Sequence, residues 1–439
     1  MRKLQTLIVL ASMIPAGRAG KVKAQAASGI PAVDSATVAR AAWSRGVRAF
    51  RANDLVNARL EIDHAAAAWP SQQVYLWGRA VLAARARDTA ELISALSDYA
   101  AIGLGRDLRG DTTFADFADR SWFAPLASAH DANRSVLAHS TVRAHLSDST
   151  TYPEGVDFDS RTGRFYIGSI RHRTVVEVTP DGKERELLKR NAPGNGAVLG
   201  VRVDSKNGIV WATMAGIPQM ENYAGKDSTI AALVRIRISD GAIEKRYDLP
   251  TSAQHVLGDL AIGPGGDVFI SDSRDPALYR LRPGADSLEA IRNPWFRSLQ
   301  GLAPTRDGRI LYLADYSHGM LRVDLHDNSV SRIEDAPRST TLGCDGIAFY
   351  RNSIIAVQNG VAPARIMRFE LDREGKRITK AEVLDRNWKI ADEPTIGTIV
   401  GDDFVYVANS QSENYNDDGS RKANIPLTAP VLLSVPLGR

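Results

Sequence analysis

From residue 152 onward one strand-rich unit recurs six times, and this repeat constrains the fold more than any other feature of the sequence. Each copy has a short alternating run, a turn containing Gly, Asp or Asn, and a very hydrophobic run. The copies begin at Glu154, Leu199, Gly258, Gln300, Asp345 and Thr395. A third strand follows each copy, and a fourth follows five of them. Because a single blade would expose both faces, six stacked four-stranded units predict a six-bladed β-propeller.

The sixth unit is incomplete. It ends with a third strand at Val431–Val435, and the chain stops shortly afterwards. Val142–Leu146, which precedes the first unit, has the length and place to supply the missing outer strand. We therefore predict a propeller over residues 140–439 that is closed by a strand from its N-terminal side.

Residues 35–135 have a different texture, with apolar residues at helical spacing. Val38, Ala41, Ala42, Ala49 and Phe50 form one face of a first predicted helix. Three more follow, at residues 55–69, 74–87 and 89–99, and these hairpins resemble tetratricopeptide repeats. The fold class is thus mainly β, with a small α-helical repeat domain in front. Two roles stay open for that domain: binding a protein partner on its concave face, or simply packing against the propeller.

The N-terminus predicts export to the periplasm or outside the cell. Residues 1–26 combine Arg2 and Lys3, an apolar run and Ala24-Gln25-Ala26, as in a signal peptide, and residues 27–34 form a linker. An uncleaved membrane anchor is the alternative. Cleavage removes five basic residues and no acidic one, so the 55 basic residues fall to 50 against 51 acidic ones and the net charge changes from +4 to −1. Nucleic acid is therefore not an expected partner.

Propeller geometry predicts where a site lies. The residues that open each repeat meet at one end of the central channel, together with the loops between strands two and three and between blades. Glu154, Asp345 and Gln300 converge there, and the two longest loops, about residues 215–230 and 410–429, open at the same end. An oxygen-only donor set favours a hard cation such as Ca²⁺ or another divalent ion. The alternative is that these side chains bind channel water or strand-end amides.

Several short motifs in these repeats resemble the senescence-marker-protein/gluconolactonase superfamily, which neighbours the paraoxonases and strictosidine-synthase-like proteins. They are Pro153-Glu154-Gly155, the run from Leu299 to Asp315, and Asp345-Gly346. The resemblance implies a six-bladed propeller that holds a divalent ion through one Glu, two Asn and one Asp, and that hydrolyses lactones or esters. Glu154 and Asp345 match the acids, Gln300 replaces one Asn, and Gly258 stands where the other Asn is expected.

Two functions follow from this resemblance. In the first, the protein hydrolyses a small lactone or ester with a metal at Glu154, Gln300 and Asp345, Asp345 activates water, and His255 or His172 carries the proton. In the second, it is a non-catalytic protein- or ligand-binding propeller whose metal site has decayed at Gly258. No phosphate-binding loop is present, so neither a nucleotide nor a haem is expected as cofactor. Nothing in the sequence marks a quinone for a third, electron-transfer function.

Overall fold

The computed structural model describes residues 35–438, so the predicted signal peptide and linker lie outside the described residues. Helices come first. They are α1 (Ser35–Arg51), α2 (Leu55–Ala68), α3 (Gln73–Ala86), α4 (Thr89–Ala101), a 3-10 helix (Thr112–Phe117) and α5 (Phe123–Arg134). Asp54 caps α2 and Asp88 caps α4, because each carboxylate accepts a hydrogen bond from a free amide of the first turn. Within the described residues, no helix is long and apolar enough to span a membrane.

The helical domain has a core of its own. Phe114, Phe117 and Phe123 are buried with Trp77 and Tyr99, as expected for residues that cap the last hairpin. The predicted apolar face of α1 is wrong in part, because Val38 is 45% exposed. The buried face of α1 carries small residues instead: Ala36, Ala39, Ala42 and Gly46. Gly46 is required by close approach, since a Cβ there would lie 2.7 Å from the Ile62 side chain on α2.

Within residues 35–438, twenty-four strands follow the helices and form six four-stranded antiparallel sheets, which confirms the predicted propeller. The strands are β1 (Thr141–His145); β2 (Pro153–Asp159), β3 (Arg164–Ser169), β4 (Thr174–Val178) and β5 (Glu184–Glu186); β6 (Ala197–Asp204), β7 (Ile209–Ala215), β8 (Ala231–Arg237) and β9 (Ile243–Asp248); β10 (Leu257–Ile262), β11 (Val268–Asp272), β12 (Ala277–Leu281) and β13 (Glu289–Ile291); β14 (Leu299–Pro304), β15 (Ile310–Asp315), β16 (Gly319–Asp324) and β17 (Val330–Arg332); β18 (Cys344–Tyr350), β19 (Ser353–Gln358), β20 (Arg365–Leu371) and β21 (Ile378–Arg386); and β22 (Gly397–Val400), β23 (Asp403–Val407) and β24 (Val431–Pro436).

The ring closes as the sequence predicts. The sixth sheet has the order β1-β24-β23-β22, so its outer strand comes from the N-terminal side of the propeller. Thr141 lies opposite Ser434, and His145 lies opposite Val431. This pairing joins the two ends of the propeller, so that β24 is not left as an open edge strand.

A bulge occurs at the same place in the inner strand of the first five blades. The register shifts between Pro153 and Val156 in β2, and the corresponding shifts lie in β6, β10, β14 and β18. The shifted positions are the two residues that open each repeat, such as Asp345 and Gly346. A bulge turns one side chain away from the regular alternation of a strand. Here it turns the first residue of each repeat toward the channel and presses the second against the next blade.

Glycine at the second position allows this close approach between blades. A Cβ on Gly346 would lie 2.7 Å from Ile396 Cα, and one on Gly200 would lie 2.9 Å from Asp259 Cα. The third blade carries Asp259 in place of this glycine. Its buried carboxylate lies 3.3 Å from Arg202 on the second blade, so it is directed away from Gly258 as strand alternation predicts.

Candidate functional site

Two acidic side chains lie together where the inner strands begin. Glu154 opens β2 and Asp345 lies near the start of β18, and each is partly buried at the channel mouth. Thr395, which opens the sixth repeat, donates a hydrogen bond to the Glu154 carbonyl at 2.8 Å. The two carboxylates that the repeat pattern places at one end of the channel are close enough for the charge of Asp345 to act on Glu154.

Burial raises the pKa of both carboxyl groups, and the charge of a neighbouring acid adds to this effect in each case. Loss of solvation is the larger cause for Glu154, and the charge of Asp345 adds to it, so its pKa lies well above the usual value near 4.5. Burial raises the pKa of Asp345 to about 6, against the effect of a hydrogen bond from Asn359 that lowers it. Two acids confined in this way favour a state in which they share a proton or a bound cation.

Gln300, the third predicted ligand, is directed toward the gap in the ligand pattern. Its Oε1 would lie 3.6 Å from a Cβ added to Gly258, and its Nε2 is 3.4 Å from Ser298 Oγ. The longer arm of glutamine therefore extends beside the position where Gly258 offers no side chain. An added Cβ at Gly258 has no contact closer than that one, so a methyl group fits there.

Asn359, on the loop between β19 and β20, completes a polar wall beside Asp345. Its Nδ2 donates to Asp345 Oδ2 at 2.8 Å and to the Pro394 carbonyl at 2.9 Å. Its Oδ1 is buried and has no hydrogen-bond partner in the structure. An unpaired buried amide oxygen beside a carboxylate is a further candidate donor for a cation or a water molecule.

Glu393 is a third acidic residue at the mouth that the sequence analysis did not identify. It lies in the loop between the fifth and sixth blades, where its carboxylate accepts hydrogen bonds from Ser412 Oγ and from the Glu413 amide. Burial is the main cause that raises the pKa of Glu154, Tyr152 and Tyr316 at the same mouth, and the charge of Glu393 adds to each shift. One feature of the sequence could have identified it: Glu393 lies two residues before Thr395, on a loop between blades, and such loops open at this end of the channel.

Glu393 makes the stability of the protein depend on pH. Burial is the main cause that raises its pKa from 4.5 to about 7, and repulsion from Glu413 and Asp392 adds to it. The pKa of Glu393 is higher in the folded state than in the unfolded state. Its contribution to the free energy of unfolding is therefore fully present below about pH 4.5 and is lost as the pH rises through about 7. A shift of this size corresponds to about 3 kcal/mol. The stability of Glu393→Gln relative to the wild type should therefore be about 3 kcal/mol greater at pH 8 than at pH 4.

Urea unfolding of the wild type and of Glu393→Gln between pH 4 and 8 measures this difference. Glu374→Gln, on the exposed turn between β20 and β21, is the matched control and should follow the wild-type profile. Parallel wild-type and Glu393→Gln profiles would show that Glu393 is not buried as described.

His255 is held in a closed pair away from these acids. Its Nδ1 lies 2.6 Å from Asp272 Oδ2, and its Nε2 lies 3.1 Å from the Pro250 carbonyl. Asp272 also accepts hydrogen bonds from the amides of Val256 and Arg274. Both ring nitrogens therefore face acceptors, and the pair fastens the loop that leads into β10.

His172 lies between two other carboxylates on the rim of the first blade. Its Nε2 is 3.2 Å from Asp148 Oδ2, and its Nδ1 is 3.4 Å from Glu221 Oε2. Burial alone would raise the pKa of Glu221, but hydrogen bonds from Asn191 and His172 lower it overall. The structure therefore places neither predicted histidine in hydrogen-bond contact with Glu154 or Asp345.

The two longest loops meet over the mouth on the side of the first, second and sixth blades. Gln219 Nε2 donates to the Asn416 carbonyl at 3.4 Å, and the Tyr415 ring stacks on Tyr152 with centroids 5.0 Å apart. The Arg171 guanidinium lies over the Tyr415 ring of this stack, 5.7 Å from its centroid. The loops thus give the mouth an aromatic cover, as their length and position suggest.

The donor set fits a hard cation in its chemistry. Two carboxylates and the amide oxygens of Gln300 and Asn359 are all oxygen donors, which Ca²⁺ and similar ions prefer. Within residues 35–438 no group of three or more His, Cys, Asp or Glu side chains is arranged to hold a metal ion. The two findings agree, because only two of the four candidate donors are acidic.

Comparison with solved structures gives matches of low sequence identity. A gluconolactonase from Xanthomonas campestris is 14% identical, with 68% of this chain and 96% of that chain covered and a TM-score of 0.46. Virginiamycin B lyase from Staphylococcus aureus is 18% identical, with 61% and 81% covered and a TM-score of 0.44. Luciferin-regenerating enzyme is 14% identical, with 68% and 95% covered and a TM-score of 0.45. Curated protein sequences gave no match.

The family of the chain is shown by a match to a family model rather than by these distant structures. The model for the SMP-30/gluconolactonase/LRE-like region matches residues 152–383, more than half of the 439-residue chain. The matched segment begins beside Glu154 and contains Gln300, Asp345 and Asn359. The chain therefore belongs to the SMP-30/gluconolactonase/LRE-like family.

Proposed function

We propose that the protein is an exported, divalent-cation-dependent hydrolase of small lactones or related esters. The observation that carries this proposal is the acidic pair at the channel mouth. Glu154 and Asp345 are forced together with raised pKa values, and oxygen-bearing amides flank them. Two like charges in a partly buried mouth repel each other at a cost in free energy unless a proton or a cation neutralises them. Such pairs therefore occur mainly at functional sites.

Asp345 is the residue we assign as general base. Its pKa of about 6 leaves it ionised at neutral pH and yet basic enough to accept a proton from water. The water oxygen bonds to the carbonyl carbon, the ester C–O bond breaks, and the proton passes to the departing oxygen to give an acid and an alcohol. The hydrogen bond from Asn359 holds the Asp345 carboxylate in position at one oxygen and leaves the other available.

Glu154, Asp345, Gln300 and Asn359 are the residues that would hold the cation. A divalent ion bound there supplies positive charge that polarises the substrate carbonyl and stabilises the negative oxygen formed on attack. The aromatic cover formed by Tyr152 and Tyr415 would exclude bulk water from the same space. Proton transfer through His255 or His172 would require the ring to exchange one of its present partners for the leaving group.

Gly258 favours the second candidate, a propeller that binds a protein or small ligand without catalysis. It contributes no side chain at a position where the family resemblance implies a ligand, and Gln300 only partly fills the gap. In this alternative the acidic pair keeps a shared proton, and the polar mouth binds a ligand by hydrogen bonds alone.

Calorimetric titration of the chelator-stripped protein with Ca²⁺ separates the two functions. For the hydrolase we expect one site with a Kd of about 10⁻⁵ to 10⁻³ M and release of a proton near pH 7. Gly258→Asn adds an amide oxygen at a position that accepts a Cβ, and should lower the Kd by about tenfold. Glu154→Gln should abolish binding. Absence of binding in both the wild type and Gly258→Asn would exclude the cation-dependent function, and a lactone and ester screen then becomes unnecessary.

A further inference from the structure

The helical domain sits on the same end of the propeller as the acidic pair, over the fourth and fifth blades. Trp69, at the end of α2, packs edge-on against His318 in the loop between β15 and β16, with ring centroids 5.8 Å apart. Arg332, at the end of β17, also lies over this indole, with its guanidinium carbon 5.1 Å from the ring centroid. Loops between strands two and three, and loops between blades, form this contact. The domain therefore packs on the rim that surrounds the site.

Its contacts converge on two short segments of the fifth blade, residues 340–345 and 358–360, which carry Asp345 and Asn359. Gln73, the first residue of α3, donates through Nε2 to the Gly360 carbonyl at 3.2 Å. Gly360 N in turn donates to the Gly343 carbonyl at 3.0 Å. The backbone is tight here, since a Cβ on Gly360 would lie 2.6 Å from both Gly343 Cα and the Tyr316 ring. Displacing Gly360 would therefore displace both segments.

A second connection begins at Ser71, in the short segment between α2 and α3. Ser71 Oγ donates to Asp335 Oδ2 at 2.8 Å, and Asp335 Oδ1 accepts from Thr341 Oγ1 at 2.7 Å. The next residue, Leu342, is buried among Ala36, Ala39, Trp69 and Tyr75 of the helical domain. Leu342 is only three residues from Asp345, so the helical domain anchors the approach to the inner strand of the fifth blade.

A third connection uses a buried arginine. Arg365 donates through one guanidinium nitrogen to the Gly103 carbonyl of the helical domain at 2.8 Å and through Nε to Gln358 Oε1 at 2.6 Å. Gln358 Nε2 donates to the carbonyls of Thr340 and Leu342 at 2.8 and 2.7 Å. This network ties the two segments to each other and to the helical domain.

We propose that the helical domain is a positioning element of the site, in which Ser71 and Gln73 fix Asp345 and Asn359 through the segments 340–345 and 358–360. Side chains that orient a site from outside it need rigid supports, because small shifts of a donor weaken binding and catalysis strongly. The role assigned here differs from partner capture, since it uses the face of the helices that is already occupied by the propeller. Its consequence for cation affinity rests on the proposed function, whereas its consequence for segment mobility does not.

Hydrogen exchange followed by mass spectrometry tests the positioning role in the full chain without any ligand. In Ser71→Ala/Gln73→Ala we expect amides of residues 340–345 and 358–360 to exchange about tenfold faster, with residues 153–159 unchanged. Gln73→Glu, which keeps the size of the side chain but lacks the donor, is a milder variant should the double variant fold poorly. Ser71→Thr keeps the hydroxyl donor and should show the wild-type exchange rate at residue 341. Arg386→Gln removes contacts to the Ala132 and Ser135 carbonyls elsewhere in the interface and serves as the matched control.

Titration of the same proteins with Tb³⁺, a hard cation whose emission nearby aromatic side chains sensitise, gives the second readout. We expect about tenfold weaker Tb³⁺ binding in the double variant and wild-type binding in Arg386→Gln. Exchange that is unchanged, or equally faster in all blades, would overturn the positioning role. Segment-specific exchange together with no Tb³⁺ binding in the wild type would support positioning and reject the cation-dependent function, so the two failures are distinguishable.

Discussion

Replacing Asp345 with asparagine is expected to lower kcat/KM for lactone or ester hydrolysis by about 10²- to 10⁴-fold, the contribution typical of a general base. Asparagine keeps the shape of the side chain but cannot accept a proton from water. The Asp345 carboxylate is also a member of the acidic pair proposed to hold the cation, so cation affinity should fall in the same variant. Steady-state hydrolysis at saturating Ca²⁺ separates the two effects, because a loss that saturation does not restore belongs to the base.

Asp307→Asn is a suitable control for this experiment. Asp307 lies in an exposed turn between β14 and β15, where it accepts hydrogen bonds from Thr305 and from the Arg309 amide. Asparagine can accept the same bonds, so activity and stability should stay near those of the wild type. Wild-type kcat/KM in Asp345→Asn would contradict the assignment of Asp345 as base and would favour the non-catalytic alternative.

Replacing Gly301 with alanine is expected to destabilise the propeller by about 3 kcal/mol, the upper part of the range for overpacked positions. The new Cβ would lie 2.5 Å from Ile347 N and against the Asp345 carbonyl oxygen, both in the backbone of the next blade. Unlike the tip of a flexible side chain, this backbone is fixed by the β18–β19 ladder. The two blades must therefore separate, and the Asp345 segment moves with them. Urea unfolding measures the loss.

Gly258→Ala is the matched comparison, because it tests the neighbouring blade at the adjacent repeat position. Its Cβ would meet only Gln300 Oε1 at 3.6 Å and Ser271 Oγ at 3.9 Å. We expect a change within about 0.5 kcal/mol. Equal losses in Gly301→Ala and Gly258→Ala would show that blade contact is not the reason for glycine at position 301.

Much of the fold could be predicted because propeller blades repeat a local pattern. The period of the strand-rich unit gives the number of blades, and the incomplete sixth unit requires an outer strand from elsewhere, which β1 supplies. The same repeat predicts that Glu154 and Asp345 lie at one end of the channel. These predictions depend only on strand alternation and on the need of each sheet to bury its faces.

Other parts of the site depend on contacts between residues far apart in sequence. Glu393 carries no motif, and its raised pKa arises from burial beneath the loop that contains Ser412 and Glu413. The free Oδ1 of Asn359 is recognisable only once Nδ2 is seen to bind Asp345 and Pro394. The histidines illustrate the converse, since the loops predicted to bring His255 to the channel instead fasten it to Asp272.

The sequence by itself determined the elements, the number of blades, the closing strand and the two carboxylates, because hydrophobic periodicity and repeat length are local properties of the chain. Only the tertiary structure decided which face of α1 is buried, where the helical domain docks and which polar atoms surround Asp345. Val38 is exposed while Ala36 and Ala39 pack near Leu342, since the propeller rim accepts small side chains at that point. Such choices depend on the shape of the facing surface, and periodicity along one segment does not encode that shape.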